Sequence, residues 1–198
     1  MTDTSRAWML DPVEFHHDFE ALLASDDGLV AVRDAATRIW NSTDPALRSY
    51  VEMLALDPEQ WRCECEDLHL VDWYRVTMAP YLIPTTALTC PDTVRRGLPV
   101  LGWHTSEARR LARGRELLTL AERHLDDHLV ERLRLRFGWG TKGWLDHDDI
   151  VGALERMRRL DRSVFRTHQE LVPMVEDAFV AFEAAATKPD HVLLTITA

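Results

Sequence analysis

The chain has 198 residues, with 23 Lys and Arg against 33 Asp and Glu, a formal net charge of −10. That length fits a single domain over residues 1–198, able to bury a core without disulfides. The apolar share of 46% is too high for wholesale disorder. The acidic balance opposes recognition of phosphate backbones and anionic membranes, which need basic surfaces, so the reading is no nucleic acid and no membrane partner.

Local basic clusters exist around Arg109–Arg115, Arg132–Arg136 and Arg156–Arg162, but each lies among acids at helical spacing and reads as a solvated face. The cysteine count is odd, at Cys63, Cys65 and Cys90. Residues 1–6 carry neither the basic start nor the apolar run of a secretory leader, and no stretch approaches the roughly 20 apolar residues of a membrane span. The expected compartment is the cytoplasm.

In chain order, Ser5 to Leu10 reads as a short strand. Asp11-Pro12 supplies a cap and a proline at the first helical position, opening a helix to Ala24 with Phe15, Phe19, Leu22 and Leu23 inward. A break at Ser25 to Gly28 precedes a helix from Leu29 to Trp40, and Asp44-Pro45 opens another to Leu56. Asp57-Pro58 starts a short helix through Trp61, and Glu64 to Ala79 has helical spacing. Prolines 80, 84, 91 and 99 bracket an irregular stretch with short extended pieces near Tyr81 and Ala87 and a helical turn from Pro91 to Gly97.

A long helix starts at a Thr105 or Ser106 cap, with a stripe of Leu111, Leu118, Ala121, Leu125, Leu129 and Leu133. Gly114 is the place for a bend or a break. Gly138 to Gly143 ends it, and Asp146 or Asp148 caps a helix from Ile150 to about Thr167. A last helix runs to Thr187, starting near Leu171 because Pro173 is tolerable only in a first turn. His191 to Ala198 is the clearest strand. Two terminal strands that pair with each other, or with pieces from residues 80–90, give an α+β domain dominated by helix, with a small sheet.

The closing stretch VPMVEDAFVAFEAAATKPDHVLLTITA resembles the final helix, turn and apolar strand of the YfbM-like family of uncharacterised bacterial proteins. RAWMLDPVEFHHDFEALL is similar to the strand-then-helix opening of small actinobacterial proteins of comparable layout. The resemblance implies a mixed α+β fold and no known activity.

Four constellations carry potential chemistry. His124-Leu-Asp-Asp-His128 puts His124, Asp127 and His128 on one face of a continuous helix, the arrangement that zinc helices use. The order resembles an inverted HxxEH with Asp for Glu, and the alternative is an outward amphipathic face. A third ligand would come from His104, His147 or His168. Cys63-Glu-Cys65 with Asp67 and His69 offers thiolates and an imidazole, but CxC is a poor zinc spacing. His16-His17-Asp18 sits on the first helix, where adjacent histidines face different ways. Finally, Trp103-His104 before the long helix, and Trp139, Lys142 and Trp144 after it, place indoles beside glycines at element ends, where they can wall a pocket or anchor loops. Trp8, Trp40, Trp61 and Trp73 read as core. No P-loop, GxGxxG, GxSxG, kinase or EF-hand signature is present, so no cofactor is implied, and no metal is assigned.

The favoured expectation is a small binding or interaction domain for a small molecule or protein partner, with a ligand-binding surface at Trp103, His104, Trp139, Lys142 and Trp144. The alternative is a small-molecule enzyme, metal-dependent or not, with His124, Asp127 and His128 as catalytic groups. A third is an immunity- or antitoxin-like protein that binds a partner. Homodimerisation stays open.

Overall fold

The apolar ends of the chain meet in one sheet. In the computed structural model, which describes residues 5–25, 27–43, 66–88, 91–134 and 142–197, the elements in order are β1 (Ser5–Leu10), α1 (Pro12–Ala24), α2 (Gly28–Trp40), α3 (Glu66–Met78), β2 (Ile83–Leu88), α4 (Pro91–Val100), α5 (Thr105–Arg113), β3 (Arg115–Glu116), α6 (Leu117–His124), α7 (Asp127–Arg134), β4 (Lys142–Leu145), α8 (His147–Arg158), α9 (Val172–Ala186) and β5 (Val192–Thr197). The strand order is β2-β1-β5-β4-β3, antiparallel throughout. β1 and β5 pair from Ser5↔Thr197 to Leu10↔Val192. The helix-dominated α+β class is therefore what the chain adopts. The helices expected over 45–56 and 57–61, together with Cys63, Cys65, Cys90 and Trp139, lie outside the described residues.

The chain forms two compact units. The first comprises Met1–Leu10, Ile83–Leu117 and Thr141–Ala198; the second comprises Asp11–Leu82 and Leu118–Gly140. The first unit holds the sheet with α4, α5, α8 and α9. Its core gathers Met9, Leu98, Trp103, Leu111, Ile150, Leu154, Met174, Phe182 and Leu193. β1 and β5 read as near-continuous apolar runs because consecutive residues, which alternate between the two faces, are buried: Ala7 to Leu10 in β1 and Val192 to Leu194 in β5. Pro173 falls in the first turn of α9, where its missing N–H costs nothing.

The second unit is helical. Phe15, His16 and Phe19 of α1, Val32, Ala36 and Ile39 of α2, and Leu70, Trp73, Tyr74 and Val76 of α3 are buried. Leu120 and Ala121 of α6, Leu129 and Leu133 of α7, and Leu125 between them are buried as well, so the leucine stripe is an inward face, apart from half-buried Leu118. Trp40, expected in the core, is 40% exposed at the end of α2.

The expected long helix from Thr105 is three helices. Gly114, at φ 69°, ends α5, and the next two residues become β3. A side chain at Gly143 on β4 would place its Cβ 1.7 Å from the Arg113 carbonyl oxygen, so this close approach of backbones excludes anything larger than glycine. The second interruption is at Leu125-Asp126. The Asp126 carboxylate accepts from the Leu129 amide at 2.9 Å and starts α7 anew. The helix after Asp146 stops at Arg158 instead of continuing to Thr167. Asp161 begins a separate 3-10 turn, Arg162–Arg166, by accepting from the Ser163 amide and hydroxyl at 2.8 and 2.7 Å.

Candidate functional site

The chemistry of the second unit begins at the first turn of α1. Asp11 caps that helix through Val13 and Glu14 amides, and Pro12 occupies its first position. One turn on, the His16 Nδ1 lies against the Pro12 carbonyl oxygen. A carbonyl only accepts, so Nδ1 carries the proton, and Nε2 is left as the acceptor of the Tyr74 hydroxyl of α3 at 2.7 Å. His16 is 1% exposed, and Phe15 and Tyr74 crowd its ring at centroid distances of 4.7 and 5.6 Å. Burial, only partly offset by the Pro12 hydrogen bond and reinforced by the neighbouring His124, lowers its pKa to about 4. His16 is thus a neutral imidazole at pH 7.

His124, the last residue of α6, stacks on that ring. The centroids are 5.0 Å apart and the planes 18° from parallel. His124 is half-buried. Burial and the adjacent Arg123 lower its pKa, with Asp11 pulling the other way. Among the described residues its ring makes no hydrogen bond. Beside this pair, Tyr81 donates to Asp18, and burial together with that carboxylate raises the phenol to about 12.

Two sequence constellations therefore meet, His16 from the first and His124 from the HLDDH run. The continuous face expected for His124, Asp127 and His128 does not form, because the Asp126 cap ends one helix and begins another. Asp127 and His128 fall in the first turn of α7 and are exposed. Among the described residues there is no group of three His, Cys, Asp or Glu able to hold a metal.

Trp103 and Trp144 sit in the first unit. Trp103 is 3% exposed, with the Arg156 guanidinium 4.3 Å from its ring centroid. Arg156 also bonds Glu107 and the Gly102 carbonyl. Trp144 is fully buried on β4. It donates to the Glu116 carbonyl at 3.1 Å and lies under Arg115 at 5.0 Å. His104 is exposed and caps α5, its Nδ1 facing the Ser106 amide and hydroxyl. Lys142 opens β4, paired with Ile196.

A charged cluster that includes the expected helix cap Asp146 lies beside Trp144. Arg115 touches both Asp146 and Asp149, the latter at 3.0 Å, and Arg110 reaches Asp149 at 3.2 Å. The Arg115–Asp149 contact is an ion pair without hydrogen-bond alignment. Asp146 also caps α8 through the Asp149 amide at 2.9 Å. Burial raises the Asp149 carboxyl, as does the charge of Asp146, against the pull of both arginines. Burial pushes Asp146 up too, but the Asp149 amide and Arg115 outweigh it and hold Asp146 below the usual range. Every charge here is answered by an opposite one, which suits a staple between α5, β3 and α8 better than a ligand site.

The inward place of His16 was legible from helical geometry. It lies about 60° round the helix from Phe19, on the flank of the apolar face, whereas His17 points away. Tyr74 carried no signal in sequence, because its role depends on packing of α3 against α1. No family model matches the chain, and no characterised protein or solved structure matches it either.

Proposed function

We propose that this chain is a small-molecule-binding protein whose ligand contact is the His124 imidazole, supported from behind by His16 and Tyr74. The observation that carries the reading is the state of His124: half-buried, stacked on a second imidazole, held towards its base form, and without a hydrogen-bond partner among the described residues. Such a ring offers one N–H donor and one lone pair, so it suits a ligand with a hydroxyl, amide or acidic oxygen. Partial burial strengthens a bond made there relative to one in water. On this reading ligand binding belongs to His124, and the two indoles serve as anchors, since each is buried and has an arginine packed on its ring.

The test is a metabolite panel followed through the His124 ring resonances at pH 7. A ligand of this site shifts those resonances, loses affinity in His124→Ala, and keeps it in His128→Ala. Binding that is undiminished in His124→Ala would overturn the reading.

The lowered titration of His124 also favours a second reading, an enzyme in which His124 serves as general base. A base that is already deprotonated at pH 7 accepts a substrate proton without first losing its own. Asp127 and His128, exposed on α7, contribute nothing specific to this version. It requires turnover that falls with acid below pH 6.5 and is lost in His124→Gln.

A further inference from the structure

We propose that the His16–Tyr74 hydrogen bond is an acid-release latch, which holds α1 on α3 at neutral pH and opens when a second proton enters the His16 ring.

The argument starts from the two nitrogens. Nδ1 is committed as a donor to the Pro12 carbonyl, a backbone group with no freedom to change role. The only place for another proton is Nε2, which already receives the Tyr74 hydroxyl proton at 2.7 Å. Protonation therefore sets donor against donor unless the phenol rotates. It also places a full charge on a ring that is 1% exposed and boxed by Phe15, Tyr74 and His124. The titratable and charged groups around the pair are Tyr74 from α3, His124 and Arg123 from α6, and Asp11 at the start of α1. The stacked His124 opposes a new cation on His16, and the Pro12 carbonyl favours one without offsetting burial. Arg123 and Asp11 act on His124, the first against its charge and the second for it, and the Asp11 carboxylate already caps α1 through two amides.

The sign follows from the depressed titration. A histidine whose folded pKa is about 4 against an ordinary 6.5 contributes stability that is complete above pH 6.5 and is lost as pH falls towards 4. The expected rise in the open fraction of the α1–α3 contact is about 20-fold at pH 5 and more than 100-fold at pH 4, relative to pH 7. The latch stands apart from the ligand reading. A protein that binds nothing at His124 still opens with acid, and failure of the latch leaves binding at His124 untouched.

The experiment is native-state hydrogen exchange of the whole chain between pH 7 and 4.5, corrected for intrinsic rates. The expected result is that amides of Phe15–Phe19 in α1 and Tyr74–Met78 in α3 lose protection as pH falls below 6, while those of β1 and β5 in the other unit keep theirs. His16→Gln, which cannot titrate, flattens that dependence. If this variant does not fold, Tyr74→Phe serves instead, because it keeps the ring but removes the donor that the new proton must displace, so the dependence becomes shallower. Protection in α1 and α3 that is independent of pH, or that falls only in step with β5, overturns the proposal, as does an unchanged slope in the variant that folds.

Discussion

His16 and His124 stand more than 100 residues apart in sequence, yet their imidazoles lie stacked at 5.0 Å, the first buried and the second half-open. A ring pair of that kind joins a structural group to an accessible one. The buried ring is fully committed to Pro12 and Tyr74, and it fixes the plane on which the face of the other lies.

The commitment of Tyr74 gives the first expectation. Tyr74→Phe leaves the His16 Nε2 buried without a donor, and an orphaned buried acceptor costs about 1–3 kcal/mol. Urea unfolding at pH 7 measures it. A loss below about 0.3 kcal/mol would mean that the hydrogen bond is replaced by water or is not made.

Two glycines should behave in opposite ways. Gly143→Ala forces a Cβ to within 1.7 Å of the Arg113 carbonyl oxygen, so β3 and β4 must separate, at a cost of more than about 2 kcal/mol. Gly152 lies inside α8, where an added Cβ meets nothing within 4 Å. Gly152→Ala should stabilise by about 0.5–1 kcal/mol. Thermal unfolding of the two variants side by side checks both signs.

The staple beside Trp144 separates its two carboxylates. Asp146→Ala removes a helix cap and an Arg115 partner, for a loss of about 1–2 kcal/mol. Asp149 is the reverse case. Its raised titration means that its stabilising contribution is greatest below the ordinary carboxylate range and declines as pH rises through its folded value. Asp149→Asn, which resembles the protonated acid, should therefore be within about 0.5 kcal/mol of the parent at pH 7 and should compare less favourably at pH 4. A variant that loses more at pH 7 than at pH 4 would contradict this.

Covered indoles predict a spectroscopic change. Arg156→Ala uncovers the face of Trp103, so tryptophan emission should move to the red with a loss of stability of only about 0.5–1 kcal/mol. An unchanged spectrum would show that the guanidinium does not shield the ring.

Local signals in the sequence carried most of the fold. Asp11-Pro12, Pro173 and the apolar run after His191 each specify an element end or a strand through nearest neighbours, and α1, α9 and β5 lie where those signals put them. The central segment is where local reasoning gave out. From Thr105 to Arg134 the residues favour helix almost everywhere, and the breaks come from Gly114, whose left-handed turn lets β3 join β4, and from Asp126, whose carboxylate prefers a new amide to a helix interior. The second of these splits the HLDDH face on which the His124, Asp127 and His128 reading depended. The site was half legible: His124 and His16 each stood out in sequence, but their pairing did not. A stack between α1 and α6 is set by tertiary packing, which no helical periodicity records.

The most direct measurement is the long-range proton–nitrogen spectrum of the histidine rings as pH is lowered from 7 to 4.5, with His16→Gln and His124→Gln used for assignment. The account predicts that His16 keeps the pattern of a neutral ring protonated at Nδ1 until the pH nears its folded value of about 4, and that His124 titrates below 6.5. A His16 ring that takes up its second proton with a midpoint at or above 6.5, or one protonated at Nε2 at pH 7, would contradict it.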